Sequence, residues 1–170
     1  MELDSLRALY VDRLKDLYSA EKQILQALPK MVRAASDREL KRAFTTHERQ
    51  TRQQVKRLER IFKDLEKSPR GKKCVGMEGL IKEGQELIKE KPEPDVLDAG
   101  LIVAAQHVEH YEMASYGTAR TYAELFGYRD QAALLEQTLN EEKETDRLLT
   151  ELAERSINIE AVDGGDSAVA

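Results

Sequence analysis

Two acidic residues interrupt the apolar spacing of a long helical segment in the second half of the chain. Small and apolar residues recur there at the alternating three-and-four spacing of a buried helix-bundle seam, at Ile102, Ala105, Ala119, Ala123 and Phe126. The same spacing places Glu109, Glu112 and Tyr116 on the seam. Burying an ionised carboxylate is costly unless a cation or hydrogen bonds compensate it. The chain must therefore fold so that compensating groups reach these two acids.

The composition favours a single all-α domain. Of the 170 residues, 35% are charged and only 5% are aromatic, with no Trp, which fits a helical bundle better than a sheet protein. A net charge of −5 argues against nucleic acid as the main partner. No apolar run approaches the roughly 20 residues that span a bilayer, and the N-terminus has no secretory signal pattern. The single Cys74 excludes an internal disulfide. We therefore expect a cytoplasmic protein that does not contact membranes.

Apolar spacing predicts four long helices. They span about 4–35, 37–67, 95–126 and 129–155. Pro29 is expected to kink the first helix without ending it, because apolar spacing continues to Met31. Ser36-Asp37 is typical of a helix start, and Gly127 of a helix end.

Residues 68–94 are expected to form a crossover connection with one short amphipathic helix, interrupted by Gly79 and Gly84. Pro94 is well placed for the first turn of the next helix. Two antiparallel hairpins joined by a long crossover are the topology of a ferritin-like four-helix bundle. We assign residues 1–160 to this domain and predict a disordered tail over 161–170.

Polar seam residues of all four helices are predicted to lie in one layer. Residues equally distant from a tight turn lie level in an antiparallel hairpin, at about 1.5 Å per residue. Counting from the first turn makes Glu21 level with Thr51, within about a turn of His47, Gln50 and Gln54. Counting from the second turn makes Glu112 level with Glu142, and Glu109 level with Asp146.

Three interpretations of these acids remain open from the residues. They can be a solvated helix face, or part of a buried salt-bridge network, or ligands of a bound cation. The seams carry no Lys or Arg at the acid positions, which disfavours the salt-bridge network. Carboxylates with one imidazole suit iron or manganese, and zinc is possible.

Several segments resemble the bacterial stress-associated YciF/YciE family over roughly residues 4–156. The similar segments are 17–23 (LYSAEKQ), 69–74 (PRGKKC), 108–112 (VEHYE), 116–117 (YG) and 141–143 (EEK). The resemblance implies a ferritin-like homodimer with a di-iron carboxylate centre, holding two Fe per chain if complete. It also implies that Gln50 stands where the family usually has Glu, so that one tightly held metal or two of unequal affinity are expected.

The candidate metal ligands combine the seam acids with those that the resemblance implies: Glu21, His47, Gln50, Glu109, Glu112, Glu142 and Asp146. A stress-associated protein that oxidises ferrous iron with oxygen or peroxide is the first functional hypothesis. The alternative is a dimeric structural stress protein with a vestigial or single-metal site and no turnover.

Overall fold

Helices make up nearly all of the described part of the chain, residues 4–166 of the computed structural model. The α-helices are α1 (Leu6–Ala34), α2 (Arg38–Asp64), α3 (Val75–Glu90), α4 (Pro94–Leu125), α5 (Arg129–Leu152) and α6 (Asn158–Asp166). A π-helical turn, Ala153–Ile157, connects α5 and α6. The predicted all-α fold class is confirmed.

The predicted starts and ends of the helices follow from local capping chemistry. Asp37 is the N-cap of α2, and its carboxylate accepts a hydrogen bond from the Leu40 backbone N–H at 2.7 Å. Pro94 occupies the first turn of α4, where no intrahelical partner for its missing N–H is needed. Gly127 takes a φ of +72° directly after α4, a left-handed conformation that ends helices at little steric cost. Helix α1 continues past Pro29, as its apolar spacing predicted.

The observed helices differ from the predicted ones in four respects. Helix α2 stops at Asp64, because Glu66 adopts a left-handed φ of 53°. Helix α3 runs through Gly79 and Gly84 without interruption. The predicted fourth helix widens into a π-helical turn at Ala153–Ile157 before α6 continues it. Helix α6 reaches Asp166, inside the segment predicted as a disordered tail, and residues 167–170 lie outside the described residues.

The long helices pack as two hairpins, α1 with α2 and α4 with α5, and the hairpins join through α1–α4 and α2–α5 contacts. Helix α3 is the crossover, and it lies against α4 and α1 on the outside of the bundle. This is the ferritin-like arrangement that the helix lengths and turn lengths predicted.

The bundle has two apolar clusters with a polar layer between them. The first cluster includes Ile24, Phe44, Leu101 and Leu149, and the second includes Leu14, Leu58, Tyr116 and Leu135. Every long helix buries polar residues between the two clusters: Glu21 on α1, His47, Thr51 and Gln54 on α2, Glu109 and Glu112 on α4, Glu142 and Thr145 on α5. The predicted common level of these positions is therefore observed.

A buried carboxylate fixes the two hairpins to each other at one end of the bundle. Asp98 of α4 is 2% exposed. It accepts hydrogen bonds from the Ser36 backbone N–H at 2.8 Å, from the Ser36 hydroxyl at 2.5 Å and from the Asp37 backbone N–H at 2.7 Å. These contacts hold the α1–α2 turn against α4.

Within residues 4–166, none of the helices combines the length and the apolar character that crossing a membrane requires.

Candidate metal centre

The polar layer contains four carboxylates and one imidazole with almost no solvent exposure. Glu21, Glu112 and Glu142 are 0% exposed, Glu109 is 1% exposed and His47 is 3% exposed. One residue comes from α1, one from α2, two from α4 and one from α5. Glu109 and Glu112 reach the same layer because residues three apart lie on one helix face.

Four of these side chains converge on a common point. His47, Glu109, Glu112 and Glu142 each offer one ligand atom, and these atoms all lie within 4.8 Å of one another. His47 Nε2 is 3.2 Å from Glu109 Oε1 and 3.8 Å from Glu142 Oε2. Ligand atoms at the usual distance of about 2.0–2.2 Å from a metal ion lie roughly 4 Å apart across it. The donor spacing therefore fits a single bound cation.

Unpaired atoms in the layer point to the same conclusion. Glu112 has no hydrogen-bond partner at either carboxylate oxygen, and His47 Nε2 makes no hydrogen bond although it lies 3.2 Å from Glu109 Oε1. Glu21, Glu109 and Glu142 each have one oxygen, Oε2, without a partner. Buried polar atoms are nearly always paired in folded proteins. A cation coordinated by these atoms would satisfy them together, so the residues fit a metal centre.

Polar neighbours orient the candidate ligands. The Tyr116 hydroxyl donates a hydrogen bond to Glu21 Oε1. The Gln54 amide donates to Glu142 Oε1 and, at 3.1 Å, to Glu141 Oε2. Thr145 Oγ1 lies 3.3 Å from His47 Nδ1. Hydrogen bonds of this kind fix the orientation of metal ligands.

Burial changes the pKa of every group in the layer. Desolvation, followed by the charge of Glu142, raises the pKa of Glu21 and Glu109 well above the ordinary range. Desolvation and the charge of Glu21 do the same to Glu112. Desolvation also raises the pKa of Glu142 to about 7 and lowers the pKa of His47 to about 4. Burial thus shifts all five side chains toward their neutral forms when no cation is bound.

No lysine or arginine in the described chain forms an ion pair with the four buried carboxylates. The basic side chain that acts on the layer is Arg57, which binds Glu141 through two nitrogens at 2.7 Å each. Its charge lowers the pKa of Glu142 but is outweighed there by desolvation. The layer is therefore not the salt-bridge network that the sequence left open as an interpretation.

Three predicted ligands lie outside the group of four. Glu21 is buried beside it, and after desolvation its charge is the next cause that raises the pKa of Glu112. Gln50 is half-buried, and its interaction with His47 raises the pKa of that imidazole against the effect of desolvation. Asp146 accepts a hydrogen bond from Gln106 at 3.0 Å and lies 3.2 Å from the exposed His110.

Helix rotation explains the position of Asp146. Consecutive residues are turned by about 100° around a helix, so Asp146 and Thr145 cannot both face the bundle axis. Thr145 takes the inward position and is 8% exposed. Thr145 and Gln54 were not among the predicted site residues, although both are polar residues at seam positions, and that signal identifies them.

Comparison with known proteins identifies the family. The chain is 45% identical to the protein YciF of Escherichia coli (strain K12) over 162 residues, which cover 95% of this chain and 98% of that protein. The crystal structure of the E. coli stress protein YciF matches with a TM-score of 0.88, covering 92% of this chain and 99% of that one.

Two further structures agree with this match. YcfI from Rhodopseudomonas palustris, for which a structural role has been suggested, is 41% identical over 88% of this chain and 95% of its own, with a TM-score of 0.85. A protein from Xanthomonas campestris pv. campestris is 23% identical over 95% of this chain and 99% of its own, with a TM-score of 0.76, and shows the fold alone. The family described as "Domain of unknown function (DUF892)" matches residues 5–162. The predicted resemblance is confirmed, and the chain belongs to this family.

Proposed function

We propose that this chain is a stress-associated protein that binds a di-iron-type centre inside its bundle and oxidises ferrous iron there with oxygen or peroxide. The observation that carries the proposal is the buried group of His47, Glu109, Glu112 and Glu142 with unpaired ligand atoms. Carboxylates with a single imidazole are a donor set that suits iron. Manganese and zinc are alternative metals for the same ligands, and metal analysis distinguishes them from iron.

The residues divide into those that hold metal and those that orient the ligands. His47, Glu109, Glu112 and Glu142 would form the principal position, and Glu21, which adjoins Glu112, would extend the centre toward a second metal. Bound iron supplies the one-electron redox chemistry that oxidation of a ferrous substrate requires. Tyr116 holds Glu21, Gln54 holds Glu142, and the two apolar clusters exclude water from both ends of the layer.

The proposed assembly and location follow the family resemblance. We propose a cytoplasmic homodimer, in which each chain carries its own centre because all five side chains come from one bundle. A dimer should be seen by light scattering at micromolar concentration. A monomer there would contradict this part of the proposal.

A second function, a structural stress protein with a single metal and no turnover, is favoured by Gln50. This residue occupies the position of an expected carboxylate ligand, and an amide oxygen is a weaker ligand for hard cations. The two functions differ in metal stoichiometry and in the rate of ferrous oxidation.

The decisive experiment measures metal per chain together with ferrous oxidation. Protein purified without chelator should contain metal, and the double variant Glu109→Ala, Glu142→Ala should lose it together with any oxidation activity. The matched control is Glu124→Ala, Glu144→Ala, which removes two exposed acids from the same two helices. Full metal content in the first variant would overturn the metal centre. Bound metal without oxidation would instead favour the structural function.

A further inference from the structure

An apolar cavity lies between the crossover helix α3 and the bundle, and it ends at the candidate metal centre. Its volume is about 40 Å³. Helices α1, α3 and α4 form most of its wall, and His47 and Glu109 lie at its inner end. The candidate metal centre therefore borders a space that side chains do not fill.

The wall of the cavity is apolar except at His47, Glu109 and Thr145 and at Lys30 and Gln85. Its apolar side chains include Ile24, Phe44, Ile81, Leu101, Val108 and Leu149. A water molecule needs two to four polar partners, and cavities lined by Leu, Ile and Phe stay dry. Hydrogen peroxide has the same need for hydrogen-bond partners as water. Away from His47 and Glu109, the lining therefore favours an apolar occupant.

The volume limits the size of that occupant. One water-sized molecule needs at least about 10–15 Å³ on the same scale, whereas a cavity that binds benzene measures about 150 Å³. At about 40 Å³, this cavity has room for a diatomic molecule and is too small for a ring or an acyl chain. A small apolar gas therefore fits this space.

We propose that this cavity is a binding site for dioxygen, held beside the edge of the metal centre that His47 and Glu109 form. The role of dioxygen as oxidant rests on the proposed function, in which ferrous iron is oxidised at the metal centre with oxygen or peroxide. The cavity favours dioxygen over peroxide as that oxidant. The binding site itself requires no redox step. It can therefore be tested separately from iron chemistry.

The binding test uses dioxygen itself. The full chain is prepared with zinc(II), which is diamagnetic, and with labelled Ile, Leu and Val methyl groups. Under dioxygen pressure the methyl groups of Ile24, Ile81 and Leu101 should relax faster than those of Leu14 and Leu135 in the second cluster. Nitrogen at the same pressure is the blank. Equal relaxation in both clusters would overturn the proposal.

Two variants change the cavity in opposite directions. Ala105→Leu fills it from the seam of α4 and should abolish the enhanced relaxation, whereas Ala132→Leu, a matched change in the second cluster, should not. If Ala105→Leu does not fold, Ile81→Ala still provides a test, since it enlarges the cavity and should increase the enhancement. Leu65→Ala, which loses packing against the second cluster, is its control. If Ile81→Ala leaves the relaxation enhancement unchanged, this contradicts the cavity as the binding site for dioxygen.

The oxidation assay then separates this proposal from the proposed function. In iron-loaded protein, Ala105→Leu should slow ferrous oxidation by dioxygen and leave oxidation by hydrogen peroxide unchanged. Equal slowing with both oxidants would refute the role of the cavity in supplying dioxygen. Wild-type protein that shows the relaxation enhancement but oxidises no iron would refute the proposed function and leave the gas-binding site in place.

Discussion

Burial distinguishes the acids of the polar layer from the other acidic residues of the chain. The sequence contains 32 Asp and Glu residues, and most of them lie at exposed or half-buried positions. Glu21 and Glu112 have no exposure at all and retain carboxylate oxygens without partners. An acid in that position is a functional candidate, because its cost to the fold needs a compensating ligand.

Removing the tyrosine hydroxyl that holds Glu21 should destabilise the metal-free protein. Tyr116→Phe deprives a buried carboxylate oxygen of its donor, which costs about 1–3 kcal/mol. Chemical denaturation with chelator present measures the change. Tyr122→Phe, a half-buried position on the same helix, is the control and should change stability by much less. Equal effects of the two substitutions would show that the hydroxyl of Tyr116 has no special role.

The variant Gln50→Glu should have opposite effects with and without metal. A carboxylate next to His47 makes the imidazole a stronger ligand and adds a possible oxygen donor, so metal affinity should rise. Without metal, one more negative charge near four buried acids should lower stability. Isothermal titration with iron(II) or zinc(II) and denaturation in chelator measure the two effects. Gln53→Glu, exposed on the same helix, should change neither.

The elements of the fold follow closely from the sequence, and the side-chain directions within them follow less closely. Apolar spacing and the capping residues Asp37, Pro94 and Gly127 predicted the four long helices, and equal distances from the turns predicted the common level of the acids. The π-helical turn at Ala153–Ile157, which contacts α4, has no comparable signal in the sequence. Asp146 was predicted as a ligand from its level alone, whereas the apolar spacing of the helix already places Thr145 on the inward face.

At the level of elements, Asp98 should be one of the most sensitive positions away from the metal centre. Asp98→Asn keeps the shape but removes the charge and one acceptor from the contacts with Ser36 and Asp37. We expect a loss of about 2 kcal/mol, in the range for hydrogen bonds to charged groups. Asp95→Asn, in the first turn of the same helix, is the matched control. Thermal unfolding at fixed metal content measures both.

For the whole molecule, metal removal should invert the pH dependence of stability. In metal-free protein, each carboxyl group with a raised pKa binds more protons in the folded state than in the unfolded state. The protein therefore loses stability as these groups ionise with rising pH. For Glu142 the loss extends from pH 4.5 to about 7, and for Glu21, Glu109 and Glu112 it extends further. His47 acts oppositely between about 4 and 6.5, where the unfolded state binds its proton.

The decline should therefore be clearest above pH 6.5, where His47 no longer opposes it. Metal-loaded protein should instead gain stability over the same range, because protons compete with the cation for the ligands. Urea denaturation at pH 6.5 and pH 8, each with chelator or with saturating metal, gives the four free energies of unfolding to compare. Parallel pH trends with and without metal would contradict a centre built from these carboxylates.

The candidate ligands have exposures of 0–3%, and the cavity beside His47 and Glu109 is mainly apolar. Hydrated ions and chelators therefore reach them only in molecules whose helices have briefly separated. Release of a bound ion is then limited by the rate of that opening and not by the strength of the competing chelator. At high chelator concentration the release rate should reach a plateau, and the plateau should match the opening rate seen in the amide hydrogen exchange of the same helices. A metal ion bound in a centre covered in this way would be retained by slow opening of the bundle as well as by affinity.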